Sequence, residues 1–440
     1  MGSPSCLIYF PLFLLWPAPI SARLMGLLWL GVQAACLKKL FRVDFLLSFI
    51  FLLGFMPYTY MHVFDSGAIH WQTTSVFFIY CLLQRWMEAL KNLSGHAWRY
   101  PVAIGFIIFW GIWTKLTYFA VIPGIACLIV YYCIKKREVL RQPGARKKLV
   151  AHVVLMVAVA SSLIFVLLHS KTIRGDTYYQ QIIAPQKASV TGNVQAVKDR
   201  VAELGKYFTN PLQAAHFNYR ITKSVTPTGL LFSAVLSFIL VFGTIRLFVN
   251  KREGRDVLIN IALCILTFFI LVVFFKRAGS MHHLVLCFPF MLIALFHIGK
   301  FLYKSKVMLV AIICFFMINA KLYLDLGDLS PKFFNPLTKI KYLDVINKEF
   351  PDGYVYIVQA YGIYFIKALY GPKDQCVLYW NERIDEADQI ERIKAILSRL
   401  NRKALFIVFR NADSFSKYFP GLVEQRFDFN TNGLSVWYQP

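Results

Sequence analysis

Charge is scarce in this chain. Only 16% of its 440 residues are charged and 58% are hydrophobic, whereas soluble domains carry about 25% charged residues. That argues against a soluble globular enzyme. A disordered chain is excluded by the same numbers, because disorder needs low hydrophobicity. Acidic residues are scarcest of all, with nine of the 23 Asp and Glu falling in residues 1–324. Glycine (24) and proline (18) are ordinary in number, which removes collagen-like and low-complexity readings. None of the nine cysteines sits in a CxxC or Cys/His spacing, so neither a zinc site nor a disulfide framework is indicated. Eight of them lie in or beside apolar runs and read as small buried hydrophobes, while Cys376 stands alone in a polar tail. No repeat at 20–50 residues is visible.

What is present is a series of apolar runs, with a mean hydropathy of +0.54 over the chain. A bilayer-crossing helix needs about 20 mostly apolar residues. Spans are expected near 21–40, 45–62, 67–83, 100–114, 118–134, 149–168, 228–249, 257–275, 284–299 and 307–323. The expected fold is therefore an all-α polytopic membrane bundle of about 10 transmembrane helices, with a small C-terminal α/β soluble domain.

The net charge of +25 is distributed unevenly. Residues 325–440 carry a net +1 and residues 1–324 a net +24. The cations sit between apolar runs, not on a folded polar face, so nucleic-acid binding is not indicated. Nineteen of them fall in one set of short loops: Lys38 to Arg42, Arg85 to Arg99, Lys135 to Lys148, Lys251 to Arg255 and Lys300 to Lys306. The alternate short loops hold only Lys115, Lys276 and Arg277. The positive-inside rule assigns the basic side to the cytoplasm. The long loop 169–227 and the tail 325–440 are then extracytoplasmic, and the chain is a multi-pass protein of a cell inner (plasma) membrane.

Three domains are expected. Residues 1–20 are apolar but broken by Pro11, Pro17 and Pro19, which suits an interfacial or re-entrant segment. Residues 21–324 form the transmembrane domain. In the tail, Tyr354 to Val358, Ala404 to Phe409 and Leu434 to Tyr438 read as strands. Glu386 to Leu400 reads as an amphipathic helix, with Ile390, Ile393, Leu397 and Leu400 at helical spacing. The tail has no Gly-rich phosphate loop and no nucleophile elbow.

Ionisable groups at a membrane rim are costly and mark candidate sites. Asp65 lies in such a position, flanked by His62 and His70. Its carboxylate can serve as a base, orient an acceptor hydroxyl, or hold a divalent metal with a histidine. The competing reading is a cap for the helix that follows. Lys115 stands in an apolar hairpin beside Tyr118 and can meet a phosphate, or it snorkels to the interface. Lys276 and Arg277 precede His282 and His283; Arg277 can grip phosphate with two donors, although an ordinary polar loop has the same composition. Tyr178 and Tyr179 in the long loop can stack on a sugar, or belong to a solvated connector. These groups suit an anionic, partly lipidic ligand entering from the bilayer.

The order of these features resembles a known class. Arg23 to Leu28 with Lys38-Lys39-Leu40-Phe41, the segment Pro57 to Glu88 with Asp65 at its turn, Gly105 to Lys115 with Pro123-Gly124, and Arg277 to Phe290 are similar to successive segments of the GT-C superfamily of polyprenyl-phosphate-sugar glycosyltransferases. The protein O-mannosyltransferase and lipid A aminoarabinose transferase group is the nearest resemblance. It covers most of residues 20–324. It implies transfer of a sugar from a polyprenyl-phosphate donor to a lipid, glycan or protein acceptor on the outer face. Arg277, Lys115 and Lys276 would hold the donor phosphate, and Asp65 would take the acceptor proton. His62, His70, Tyr118, His282, His283, Tyr178 and Tyr179 would contact substrate. No resident metal or cofactor is implied. The chain departs from the class in lacking the first span and the acidic loop after it, having no acidic residue before Asp44. That departure leaves three expectations open: a chain truncated at its N-terminus, Asp65 serving in place of the acidic loop, or a catalytically degenerate homologue; the same cations would also serve a transporter or flippase of an anionic lipid-like substrate.

Overall fold

The computed structural model describes residues 18–64, 68–114, 116–169, 198, 201–202, 227–249, 253–274, 284–333, 344–350, 353–359, 376–380, 386–408, 417–425 and 435–440. The chain divides into two compact units, one of residues 1–173 and 183–329, the other of residues 174–182 and 330–440.

The first unit is helical. Its elements are α1 (Ala18–Phe41), α2 (Phe45–Leu53), α3 (Met56–Phe64), α4 (Ala68–Lys91), α5 (Arg99–Thr114) and a 3-10 helix (Leu116–Val121). They continue with α6 (Ile122–Lys135), α7 (Arg137–Leu140), α8 (Ala145–His169), α9 (Pro227–Val249), α10 (Glu253–Phe274), α11 (Phe288–Leu302) and α12 (Lys306–Phe333). Among the described residues, six helical stretches are long and apolar enough to cross a membrane: Arg23–Phe41, Thr117–Lys135, Ala145–Val166, Pro227–Val249, Gly254–Val273 and Lys306–Asp325.

Three expected spans fall short for separate reasons. At 16 residues, α5 rises only about 24 Å, less than a hydrocarbon core of about 30 Å. The 15 residues of α11 are buried from Phe288 to Phe296; a helix apolar all round at this length is a core element. The 24-residue α4 is long enough, but its ends carry His70, Gln72, Thr73 and Thr74 on one side and Arg85, Glu88 and Lys91 on the other.

The expected single span 45–62 is broken. Its two halves, Phe45–Leu53 and Met56–Val63, meet at 90°. Asp44 starts α2, its carboxylate accepting from Leu46 N at 2.7 Å. Gly54 ends α2, its N–H returning to the Ile50 carbonyl at 2.8 Å. A β-carbon at Gly54 would lie 2.0 Å from the Phe316 ring, so the glycine admits α12 against the break. Pro57, two residues into α3, cannot continue an α2 ladder. The freed backbone groups find side chains. Asn319 Oδ1 accepts from Met56 N at 2.9 Å, Thr59 donates to the Leu52 carbonyl at 2.7 Å, and Tyr323 donates to the Leu53 carbonyl at 2.8 Å. Irregular backbone at membrane depth persists only when supplied in this way. Asn319→Leu should therefore lower stability by roughly 1–3 kcal/mol, the cost of an orphaned buried N–H. An unchanged thermal midpoint of the purified protein would show that the cap carries nothing.

Helix order follows from side-chain pairings. Trp29 meets Trp71 edge-on at 5.9 Å, and further along Cys81 Sγ approaches the Cys36 carbonyl at 3.7 Å. So α1 and α4 run parallel. Trp71, near the start of α4, also packs on Trp110, near the end of α5, at 5.8 Å; those two are antiparallel. Only residue 115 separates α5 from the 3-10 helix that leads into α6. At the far end of α6, Lys135 and Tyr131 bond Asp256 near the start of α10, while Gly124 at its start faces Leu263 and Thr267. Lys300, near the end of α11, donates to the carbonyl of Phe41, the last residue of α1. Consequently the starts of α1, α4, α6 and α11 and the ends of α5 and α10 share one end of the bundle.

Glycines fix how closely these helices approach. A β-carbon at Gly124 would meet only ordinary contacts, the nearest 3.5 Å away on Phe290. At Gly54 it would collide with Phe316. Gly124→Ala should leave the thermal midpoint unchanged or raised. Gly54→Ala should lower it, and Phe316→Ala should partly relieve Gly54→Ala in a double-mutant cycle. Additive losses would contradict this close approach.

The second unit holds a five-stranded sheet in the order β2-β1-β3-β5-β4, made of β1 (Tyr354–Val358), β2 (Cys376–Tyr379), β3 (Lys403–Val408), β4 (Val423–Gln425) and β5 (Ser435–Tyr438). β2, β1 and β3 are parallel, whereas β5 and β4 are antiparallel additions. Both faces are covered, so β1 and β3 are apolar almost throughout. One face packs Ile390, Ile393 and Leu397 of α13 (Glu386–Leu400) against Val355, Ile357 and Phe406. The other packs Ile346 and Phe350 against Tyr356 and Ile407.

Candidate functional site

The first unit encloses a polar cluster within its apolar core. Gln33, Tyr58, His62, His70, Thr73, Thr74 and Ser75 are buried to 0% exposure. Three elements supply the centre: Gln33 from α1, Tyr58 and His62 from α3, and Thr73 and Thr74 from α4. Gln33 Nε2 donates to Thr74 at 2.8 Å and lies 3.0 Å from His62 Nε2, while Tyr58 donates to Gln33 Oε1 at 2.8 Å.

The geometry fixes the histidine tautomers. His62 Nδ1 lies 3.0 Å from the Tyr58 carbonyl, an acceptor only, so Nδ1 carries the proton. Nε2 then accepts from Gln33, with Thr73 Oγ1 also within reach at 2.9 Å. His62 is thus neutral, since a second proton would face the Gln33 amide donor to donor. His70 Nε2 donates to the His62 carbonyl at 2.6 Å. Beside this cluster, Ser75 donates to the Gln72 carbonyl at 2.7 Å, which leaves its oxygen to accept from the Tyr118 hydroxyl at 2.6 Å. Gly111 makes room for that tyrosine, since a β-carbon there would be 2.4 Å from its ring.

His62, His70 and Tyr118 are thereby placed in the packed interior, close to the broken helix, and not on an exposed rim. They act first as bridges that hold α1, α3, α4 and the 3-10 helix together. Polar contacts of this kind supply adhesion that apolar helices in lipid otherwise lack. Asp65, Lys115, Lys276, Arg277, His282, His283, Tyr178 and Tyr179 lie outside the described residues. Their flanking residues are nevertheless described. Residues 65–67 lead into the start of α4, residue 115 follows the end of α5, and residues 275–283 follow the end of α10. Those helix ends share one end of the bundle. Among the described residues, no group of three or more His, Cys, Asp or Glu is placed to hold a metal ion.

A second polar group sits at the opposite end. Asp256 binds Lys135 at 2.5 and 2.7 Å and accepts from Tyr131 at 2.7 Å, and nearby Tyr80 donates to Asn260. This group ties α4, α6 and α10 together.

Sequence reasoning passed over Gln33, Thr73, Thr74, Asn319 and the Asp256–Lys135 pair. Gln33 and Asn319 had a usable signal, each being an amide inside an apolar run. Asp256 and Lys135 lie 121 residues apart, and nothing local announces their meeting. No family model and no curated protein matches the chain.

Proposed function

We propose that this protein is a membrane glycosyltransferase that moves a sugar from a polyprenyl-phosphate donor to a lipid, glycan or protein acceptor. The reading rests on the ordered resemblance to GT-C transferases. One structural observation supports it: the segments carrying Asp65, Lys115, Lys276 and Arg277 join helix ends at one end of the bundle. In this reading that end is extracytoplasmic, about ten helical segments traverse or enter an inner membrane, and the sheet domain lies outside.

The chemistry follows from charge. A polyprenyl phosphate leaves as an anion, and preorganised cations lower the cost of its developing charge. Arg277 and Lys115 are assigned to its phosphate oxygens, with Lys276 beside them. Asp65 accepts the proton of the acceptor hydroxyl. A single in-line displacement then inverts the anomeric centre, in contrast to the two-step route of retaining hydrolases. The bonds made by His62, His70 and Tyr118 hold the helix starts from which the charged segments spring, so these three act as positioning residues for the proposed site.

The 90° break between α2 and α3 favours a second reading. Broken helices are common where transporters bind substrate, and a flippase of an anionic lipid-like molecule would use the same cations. Reconstituted protein, given radiolabelled polyprenyl-phosphate sugars with mixed lipid and glycan acceptors, separates the two. Product formation supports the transferase. Donor movement across the bilayer without product would overturn it in favour of the flippase.

A further inference from the structure

The corner between α6 and α8 carries more cations than any other short connection in the bundle. Residues 135–148 contain Lys135, Lys136, Arg137, Arg141, Arg146, Lys147 and Lys148 against one acid, Glu138. Three of the seven are tied down. Lys135 is held by Asp256, Arg146 Nε donates to the Leu140 carbonyl at 3.0 Å, and Lys148 Nζ reaches the Leu93 carbonyl at 3.3 Å. The other four, Lys136, Arg137, Arg141 and Lys147, are exposed.

The setting of these four is specific. The apolar stretch Thr117–Lys135 ends directly before them, and Ala145–Val166 opens with the last of them, Lys147, in its first turn. Between the two, Val139 of α7 is buried at 7% exposure and pins the short helix to the bundle. The Lys148–Leu93 bond brings the 92–98 connection alongside. There Leu93 and Trp98 are 47% and 45% exposed, and the Arg99 guanidinium lies 5.9 Å from the Trp98 ring. Exposed tryptophan beside cations at the end of a span is the composition of a membrane–water interface.

We infer that this corner is a docking surface for the headgroups of anionic phospholipids. Charge complementarity selects the occupant. Four exposed cations at the level where a span meets water face the phosphates of the adjoining leaflet, and polybasic segments in that position gain about 1 kcal/mol per Lys or Arg from anionic lipid. Leu93 and Trp98 supply the apolar floor for the glycerol region. The inference is independent of the catalytic reading.

The test is thermal unfolding of the full chain in mixed micelles. Phosphatidylglycerol should raise the midpoint, and phosphatidylcholine at the same mole fraction should raise it much less. The variant Lys136→Gln/Arg137→Gln/Arg141→Gln/Lys147→Gln should lose at least about half of that difference, whereas Lys304→Gln/Lys306→Gln, at another basic connection, should keep it. Adding salt to about 0.5 M should shrink the wild-type difference as screening shortens to a few ångströms, a readout that stands even if the fourfold variant fails to fold. Equal effects of the two lipids would overturn the inference. So would a salt-insensitive difference, or one retained in full by the fourfold variant.

Discussion

Replacing Arg277 by alanine is expected to lower sugar transfer by about 10²–10³-fold, the usual loss when one preorganised donor to a developing oxyanion is removed. Lys115→Ala should cost about 10-fold or more and should fall mainly on the catalytic rate, because the leaving phosphate gains charge only as the glycosidic bond breaks. Arg277→Lys should recover little, since a guanidinium offers two parallel donors and an ammonium only a point charge. Asp65→Asn keeps the shape of the side chain but removes its basicity, so it should abolish transfer while leaving donor binding intact. The pattern distinguishes roles: phosphate-site variants lose mainly turnover with a smaller loss of donor binding, because the donor phosphate already carries one negative charge, whereas the base variant changes turnover alone. Unchanged activity in both Arg277→Ala and Lys115→Ala would remove the phosphate assignment altogether.

The largest effect on folding is expected at Gly26. An added β-carbon would lie 2.0 Å from the His62 carbonyl oxygen, 2.7 Å from its carbon and 3.0 Å from the Val63 α-carbon. All three are backbone atoms, so no side-chain rotation relieves the clash. α1 and α3 must separate, and with them the Gln33, Tyr58 and His62 bonds. Overpacking alone costs about 1–3 kcal/mol, and the torn network adds to it. Gly31, one and a half turns further along the same helix, has nothing within 4 Å of its β-carbon position. Gly31→Ala should therefore be harmless or mildly stabilising, by up to about 1 kcal/mol from helix propensity. A thermal-shift comparison of the two variants isolates the close approach from the generic effect of alanine. Equal midpoints would mean that α1 and α3 do not touch at this point.

How much could be read from the chain alone depended on the range of the forces involved. The helices now labelled α8, α9 and α10 are local consequences of long apolar runs between charges, and their positions were evident from composition. So was α13, whose Ile390, Ile393 and Leu397 repeat at helical spacing. The break at Gly54 and Pro57 was not anticipated, because an apolar run reads as continuous until its partners are known. Here the partners are Phe316, Asn319 and Tyr323, more than 250 residues away in sequence. The short strands β2 and β4, of four and three residues, have too few positions for a period to show. The candidate site divides in the same way. Scarce ionisable residues at helix ends stood out individually. The interior bonds of His62 and Tyr118 depend on Gln33, Thr73 and Ser75 arriving from other helices, and that of His70 on the His62 carbonyl across the 65–67 connection; no sequence spacing encodes that meeting.

The placement of the charged segments is the claim on which the functional account turns, and sidedness measures it directly. In a background with native cysteines replaced by alanine, single cysteines at Ser66 and Ser280 would be treated in sealed vesicles with a membrane-impermeant maleimide, alongside cysteines at Ser94 and Gln142. The account predicts that Ser66 and Ser280 label from the same face and that Ser94 and Gln142 label only from the other. Labelling of Ser66 and Ser280 from opposite faces would place Asp65 and Arg277 on different sides of the bilayer and contradict a shared phosphate and acceptor site.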